Sequence, residues 1–206
     1  MTDNPSDNPV KLVAFDFDGT ITTKDTFALF LRYWAGTPRW AFNILKLLPI
    51  FIAYSLKFIS RDRVKVHVCR VFFKGADLKT LERRATQFAT EVIPNLIRPA
   101  ALERFLERNS PPYTLYIVSA SIEPYLKAWA HQHGVNDIIS TKLKVVNERL
   151  TGEIDGINCW GAGKTAKIAA EMAETPYKIV EAYGDSRGDQ EMLNAAEVSY
   201  WKPFRL

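Results

Sequence analysis

The sequence predicts an α/β protein: a parallel sheet covered by helices on both faces, with a helical cap inserted after the first strand. Three observations carry this. Short apolar runs rich in β-branched residues alternate with helix-period segments. The long stretch between the first run and Pro99 has no strand pattern. Polar clusters lie just beyond several of the apolar runs, where open α/β sheets bind ligands.

Residues 10–17 read as a buried strand broken by Gly19-Thr20. Residues 25–73 read as helical and unusually apolar, and 77–93 as a helix stopped by Pro94. Residues 99–108 form another helix with proline in its first turn. Residues 113–118 are a second buried strand, followed by Ser119-Ala120-Ser121 and a helix to about residue 133. A short strand is expected at 136–140, and a hairpin at 142–146 and 149–154 around Asn147-Glu148. A helix at 163–173, a strand at 178–183, a helix at 187–196 and a strand at 198–201 complete the chain. The expected domains are a core of 1–20 and 96–206 and a helical cap of 21–95.

Composition narrows the class. The 206 residues are 47% hydrophobic and 24% charged, enough apolar mass for one core and a small second domain. A net charge of +4, scattered along the chain, does not suggest a nucleic-acid partner. Cys69 and Cys159 have no metal-ligand spacing and suit a reducing compartment, so a cytoplasmic location is expected. Residues 1–9, MTDNPSDNP, lack the apolar segment of a secretory signal and are expected to be a flexible tail.

Asp16 and Asp18 follow the first strand, Ser119 the second, and Asp185 with Asp189 a later one, while Lys164 opens the helix before that strand. Two carboxylates ~4 Å apart repel by ~4 kcal/mol at an effective dielectric of ~20, so such a cluster needs a cation. All-oxygen ligands favour Mg²⁺, which takes one or two carboxylates and a substrate phosphate. The expected ligands are the Asp16 and Asp185 side chains and the backbone carbonyl of Asp18. Asp16 is then a nucleophile able to form an aspartyl-phosphate, and Asp18 the acid for the leaving alcohol and base for water. Ser119, the amides of Ala120 and Ser121 at a helix start, and Lys164 would hold the phosphate, together with Gly19 and Thr20. Singly, each has an ordinary reading: a solvated turn for the Asp pair, a helix cap for Ser119, a surface ammonium for Lys164. Their order, DxDGT, VSAS, GxGK and GDSRGD, each beside an expected strand, favours the chemical reading.

That order resembles the haloacid dehalogenase superfamily of Asp-nucleophile phosphohydrolases. FDFDGT resembles its first motif, IVSAS the second, Lys164 the third and YGDSRGDQEML the fourth. A helical insertion after the first motif is similar to that of the phosphoserine phosphatase-like branch. The resemblance implies a Rossmann-like core, Mg²⁺ and phosphomonoester hydrolysis. It implies a phosphate clamp of Ser119 and Lys164, a metal ligand at Asp185, and Asp189 with Ser186 behind them, Asp189 holding Lys164 or a metal-bound water. Asp25 stands where that branch carries Glu, and Ala120-Ser121 replaces its Gly-Gly. Arg70, in RVFFKG, is similar to a substrate-binding arginine there, so Asp25 and Arg70 are expected to meet a charged head group.

Residues 40–59, WAFNILKLLPIFIAYSLKFI, have only Asn43, Lys46, Ser55 and Lys57 as polar side chains. Pro49 is expected to break the run into two short helices. At ~100° per residue Lys46 and Lys57 fall within ~20° of each other, on one face. Two central lysines would cost ~2.5–3.5 kcal/mol each in a bilayer. Lying at a membrane interface, flanked by Arg39, Arg61, Arg63 and Lys65, is the cheaper arrangement. That arrangement predicts peripheral contact with the cytoplasmic face of a membrane. With DTF and FLRYW, the run resembles phosphatidylglycerophosphatase C-type proteins, which implies a phospholipid with a terminal phosphomonoester as substrate. Packing inside the cap or a dimer is the alternative. A small-metabolite substrate such as phosphoserine also stays open, as does a phosphoacceptor or membrane-binding module without turnover. Asp18 argues against the last, because phosphoacceptor modules lack a second acid there. GAGKT is not a P-loop, since Asn158 occupies the position of its first glycine.

Overall fold

The computed structural model describes residues 9–135 and 137–205; the expected tail lies outside them except for Pro9, as does Asn136. Six strands form one sheet: β1 (Val10–Phe15), β2 (Tyr113–Ile122), β3 (Ile138–Val146), β4 (Arg149–Asp155), β5 (Tyr177–Gly184) and β6 (Val198–Trp201). Their order is β4-β3-β2-β1-β5-β6, parallel except for the β3–β4 pair. The most apolar strand, with Leu12 to Phe15 fully buried, thus sits inside the sheet between β2 and β5.

Between β1 and β2 run α1 (Thr26–Ala35), α2 (Thr37–Ser55), α3 (Arg61–Phe73), α4 (Leu78–Glu91), a 3₁₀ turn (Ile93–Leu96) and α5 (Pro99–Arg108). Then come α6 (Glu123–Gln132), α7 (Ala162–Glu171) and α8 (Gln190–Asn194). Asp25, Ser60 and Asp77 side chains accept from backbone amides to cap α1, α3 and α4. Phe30 of α1 packs on Phe88 of α4 and Tyr125 of α6, with ring centroids 5.2 and 5.1 Å apart. This aromatic contact joins the helical insertion to the sheet domain in one hydrophobic cluster.

Several local expectations are corrected. α2 is one helix through Pro49: proline and its neighbours Leu45 and Leu48 face solvent, so water can satisfy the carbonyl that proline leaves unbonded. Lys57 lies beyond that helix at φ 62°, so it does not continue the face of Lys46. β2 extends through the Ser-Ala-Ser segment to Ile122, because Ile122 still registers with Thr141 of β3 and Thr141 Oγ1 donates to the Ala120 carbonyl at 2.9 Å. The amides of Ala120 and Ser121 are therefore on a strand end, and α6 starts only at Glu123. The expected 187–196 helix divides into a 3₁₀ turn (Arg187–Asp189) and α8, because Ser186 and Asp189 form a capping box at its start.

Candidate active site

The carboxyl ends of β1, β2 and β5 bring the sequence motifs together around a cavity of about 560 Å³. Asp16 follows β1 directly, its amide donating to the Tyr183 carbonyl of β5 at 2.9 Å. The chain then turns through Phe17–Ile21, with Phe17 buried against Trp129. Gly19 sits at φ 83°, and a Cβ there would overlap the Asp185 carboxylate. Glycine is thus required by both the turn and the approach of the opposite strand end.

Lys164, at the start of α7, is 1% exposed. Its Nζ donates to Asp16 Oδ1 at 2.6 Å, Asp189 Oδ1 at 2.5 Å and the Val118 carbonyl at 2.6 Å. All three ammonium donors are used, as burial of a charge demands. Burial opposes the charge of Lys164, but Asp16 and Asp189 more than offset it and hold the ammonium above its ordinary range. Asp189 would be raised by burial, yet Lys164 and the Ser186 donors carry it below the usual carboxylate range. Its Oδ2 accepts from the Ser186 amide and hydroxyl, both at 2.8 Å, and from the Asp185 amide at 3.1 Å. Ser186 thus serves Asp189.

Burial pushes the Asp16 carboxyl up against the pull of Lys164, and the charges of Asp189 and Asp18 add to that push. Burial and the Asp189 charge likewise raise Asp185, against Arg205. Five acids line the cavity with five basic residues, but of those bases only Lys164 and Arg205 are paired with its carboxylates. Carboxylate oxygens of Asp16, Asp185 and Asp189 lie within 4.8 Å of one another. Asp185 Oδ1 is buried without a hydrogen-bond partner, whereas Asp189 has donors on both oxygens. That donor set fits a hard divalent cation on Asp16 and Asp185, with Asp189 holding Lys164.

Asp18 turns toward the start of α1. Its Oδ1 accepts from the Thr26 amide at 2.6 Å and the Thr26 hydroxyl at 2.5 Å, and its Oδ2 from Ser121 and, at 3.4 Å, from Ser119. Burial and the nearby Asp25 raise its carboxyl against these donors. The Ser121 amide donates to Ser119 Oγ at 3.1 Å, so the chain itself engages a group expected to face phosphate. Thr20 is also displaced from its expected role: it is buried outside the cavity lining, and its hydroxyl donates to Asp16 Oδ2 at 3.2 Å. Gly19, Ala120 and Asp25 do line the cavity.

Arg70 does not line it. Its guanidinium pairs with Glu153 of β4 on the outer side of α3. Lys65 of α3 takes the inner place: it lines the cavity, donates to the Ala120 carbonyl and lies 4.2 Å from the centre of the Phe27 ring. Burial lowers its ammonium from the ordinary lysine range. Arg61 also lines the cavity and stacks over Trp160 at 5.2 Å. Thus two cations expected to flank a membrane segment face the site instead. Helical spacing could have found Lys65, because it shares an inward stripe with Val68, Cys69 and Phe72 at i+3, i+4 and i+7. Arg205, paired with Asp185, carried no motif signal, and Thr26 stood only inside the DTF stretch with no role assigned to it.

The family of haloacid dehalogenase-like hydrolases matches residues 13–194. Protein CicA of Caulobacter vibrioides is 36% identical over 206 residues, covering 100% of this chain and 91% of that protein. A protein of unknown function from Bordetella pertussis Tohama I shares the fold at TM-score 0.80, with 18% identity over 93% of this chain and 89% of that one. A phosphoserine phosphatase solved as a phospho-aspartyl intermediate analogue superimposes at TM-score 0.61, with 18% identity over 93% of this chain and 86% of that one.

Proposed function

As this chain belongs to the haloacid dehalogenase-like hydrolases, we propose that it is a Mg²⁺-dependent phosphomonoester hydrolase working through an aspartyl-phosphate on Asp16. The observation that carries the reading is Lys164, buried between Asp16 and Asp189 at the mouth of three parallel strands. Asp16 and Asp185 would hold the metal, and the bound ion would neutralise charge on both phosphate and carboxylates. Residues 21–95 act as a cap over the core of 1–20 and 96–206.

In the first step an Asp16 oxygen attacks phosphorus and the ester P–O bond breaks. The departing alkoxide takes a proton from Asp18, which its buried position keeps ready to protonate. In the second step water attacks the phosphorus of the aspartyl-phosphate, gives its proton to Asp18 and frees Asp16 and inorganic phosphate. Lys164 balances charge at Asp16 throughout, while Ser119 and the Gly19 segment border the phosphate position. Thr20 and Thr26 orient Asp16 and Asp18. Lys65 and Arg61 supply the cations of the cap side of the cavity in place of Arg70.

The substrate is an anionic phosphomonoester; phosphoserine-like metabolites and a phospholipid head-group phosphate both meet that description. The solved phosphoserine phosphatases favour the first, and the exposed apolar face of α2 favours the second. Phosphate release from p-nitrophenyl phosphate, phosphoserine and micellar phosphatidylglycerophosphate, each with Mg²⁺ and with EDTA, tests the reading. Release that needs Mg²⁺ is expected. No release from any of the three, or release unaffected by EDTA, would refute it.

A further inference from the structure

α2 contains nineteen residues and buries only Asn43 and Leu47. Phe42, Leu45, Leu48 and Ile52 project into solvent along its outer side, followed by Leu56 and Phe58, the last 77% exposed. A continuous apolar surface of this kind on a folded chain marks a binding face. Phe51 and Tyr54, on the opposite flank, line the cavity, so the helix is at once a wall of the site and an apolar exterior.

We infer that this outer face docks on the surface of an anionic lipid bilayer. Charge selects that occupant. Residues 26–61 contain five Lys or Arg and no Asp or Glu. Arg39, Lys46 and Lys57 are exposed beside the apolar side chains, and Lys46 lies 4.4 Å from the centre of the Phe42 ring. The next acid in sequence, Asp62, is engaged by Asn158 at 2.7 Å. A second copy seated isologously would press this cation-bearing face against itself, with no carboxylate from the segment to answer it. An anionic lipid surface supplies negative charge around an apolar interior, complementary on both counts. Among the described residues no helix is long and apolar enough to cross a membrane, so α2 would lie in the interface plane, with Phe58 inserted beside its end.

The inference does not rest on the hydrolase reading, and flotation tests it without turnover. The full chain is floated with phosphatidylglycerol–phosphatidylcholine vesicles and with pure phosphatidylcholine vesicles. Binding to the anionic vesicles is expected, at least about tenfold weaker on phosphatidylcholine and weakened by salt. The triple variant Leu45→Ser, Ile52→Ser, Phe58→Ser should lose at least about tenfold in affinity while keeping its thermal melt. A second variant, Lys46→Glu with Lys57→Glu, should lose the preference for anionic lipid with the apolar face intact. A wild-type chain that fails to float, or a folded triple variant that floats equally well, would overturn the inference. So would sedimentation showing a stable dimer that the triple variant splits, which would assign the face to a second copy.

Discussion

Replacing Lys164 by methionine keeps most of the side-chain volume and removes the ammonium. In the wild type each Nζ–carboxylate pair, at 2.6 and 2.5 Å, attracts by about 6 kcal/mol at an effective dielectric of ~20. Desolvation of the buried ions consumes much of that, so the measurable quantity is the penalty of leaving carboxylates buried without their partner, about 3–5 kcal/mol. An independent ceiling agrees. A stranded aspartate can take up a proton, and protonating a carboxyl with an ordinary pKa of about 3.9 at neutral pH costs about 4 kcal/mol. For a chain of this length the loss corresponds to a fall in Tm of about 6–20 °C. Urea unfolding followed by far-UV circular dichroism, in EDTA, measures it. The double variant Lys164→Met, Asp189→Asn should recover part of the loss, because it removes one stranded charge. A single-variant loss below about 1 kcal/mol, or no recovery in the double variant, would refute the assignment of Lys164 as the counter-ion.

Two further outcomes follow from the same chemistry. Arg205→Gln removes a cation competing for Asp185, so half-maximal activation should need severalfold less Mg²⁺ in a titration of turnover; an unchanged or higher requirement would contradict this. On the back of the sheet, Arg108 makes two 2.9 Å hydrogen bonds to Glu181, and, although burial opposes it, Arg108 and Tyr183 hold the Glu181 carboxyl below its ordinary range. A depressed folded-state pKa gives stability that is present above the unfolded value and disappears as pH falls through the folded one. Glu181→Gln should therefore cost about 1–3 kcal/mol at neutral pH and progressively less below about pH 4, read from urea melts across pH. A penalty independent of pH would contradict it.

The positions that meet at the candidate site were legible in the sequence because motif and strand end coincide. Asp16, Ser119, Lys164 and Asp185 each follow an apolar run or open a helix, and parallel strands put such positions at one edge of a sheet. What stayed hidden depends on packing across the chain. Arg70 was expected to meet the substrate, yet it lies about 140° around α3 from Lys65 and so faces Glu153 on the hairpin. Pro49 carries a strong local breaking signal, but on an exposed flank water can reach the carbonyl it leaves unbonded, and α2 continues. Ser121 reads as the first residues of a helix; β3 holds it in strand geometry, and only then does its hydroxyl reach Asp18. The reversed direction of β4 was visible in the Asn147-Glu148 turn, whose two positive φ values, 49° and 59°, give a tight hairpin.

The central claim is that Asp16 carries the phosphoryl group. Acid-quenched turnover of a phosphorus-32-labelled substrate with Mg²⁺, followed by peptide mapping, tests it directly against Asp16→Asn. The account predicts label on the peptide containing Asp16 in the wild type, and neither label nor turnover in a variant that melts as a folded protein. Turnover undiminished in Asp16→Asn, or label on another residue, would contradict it.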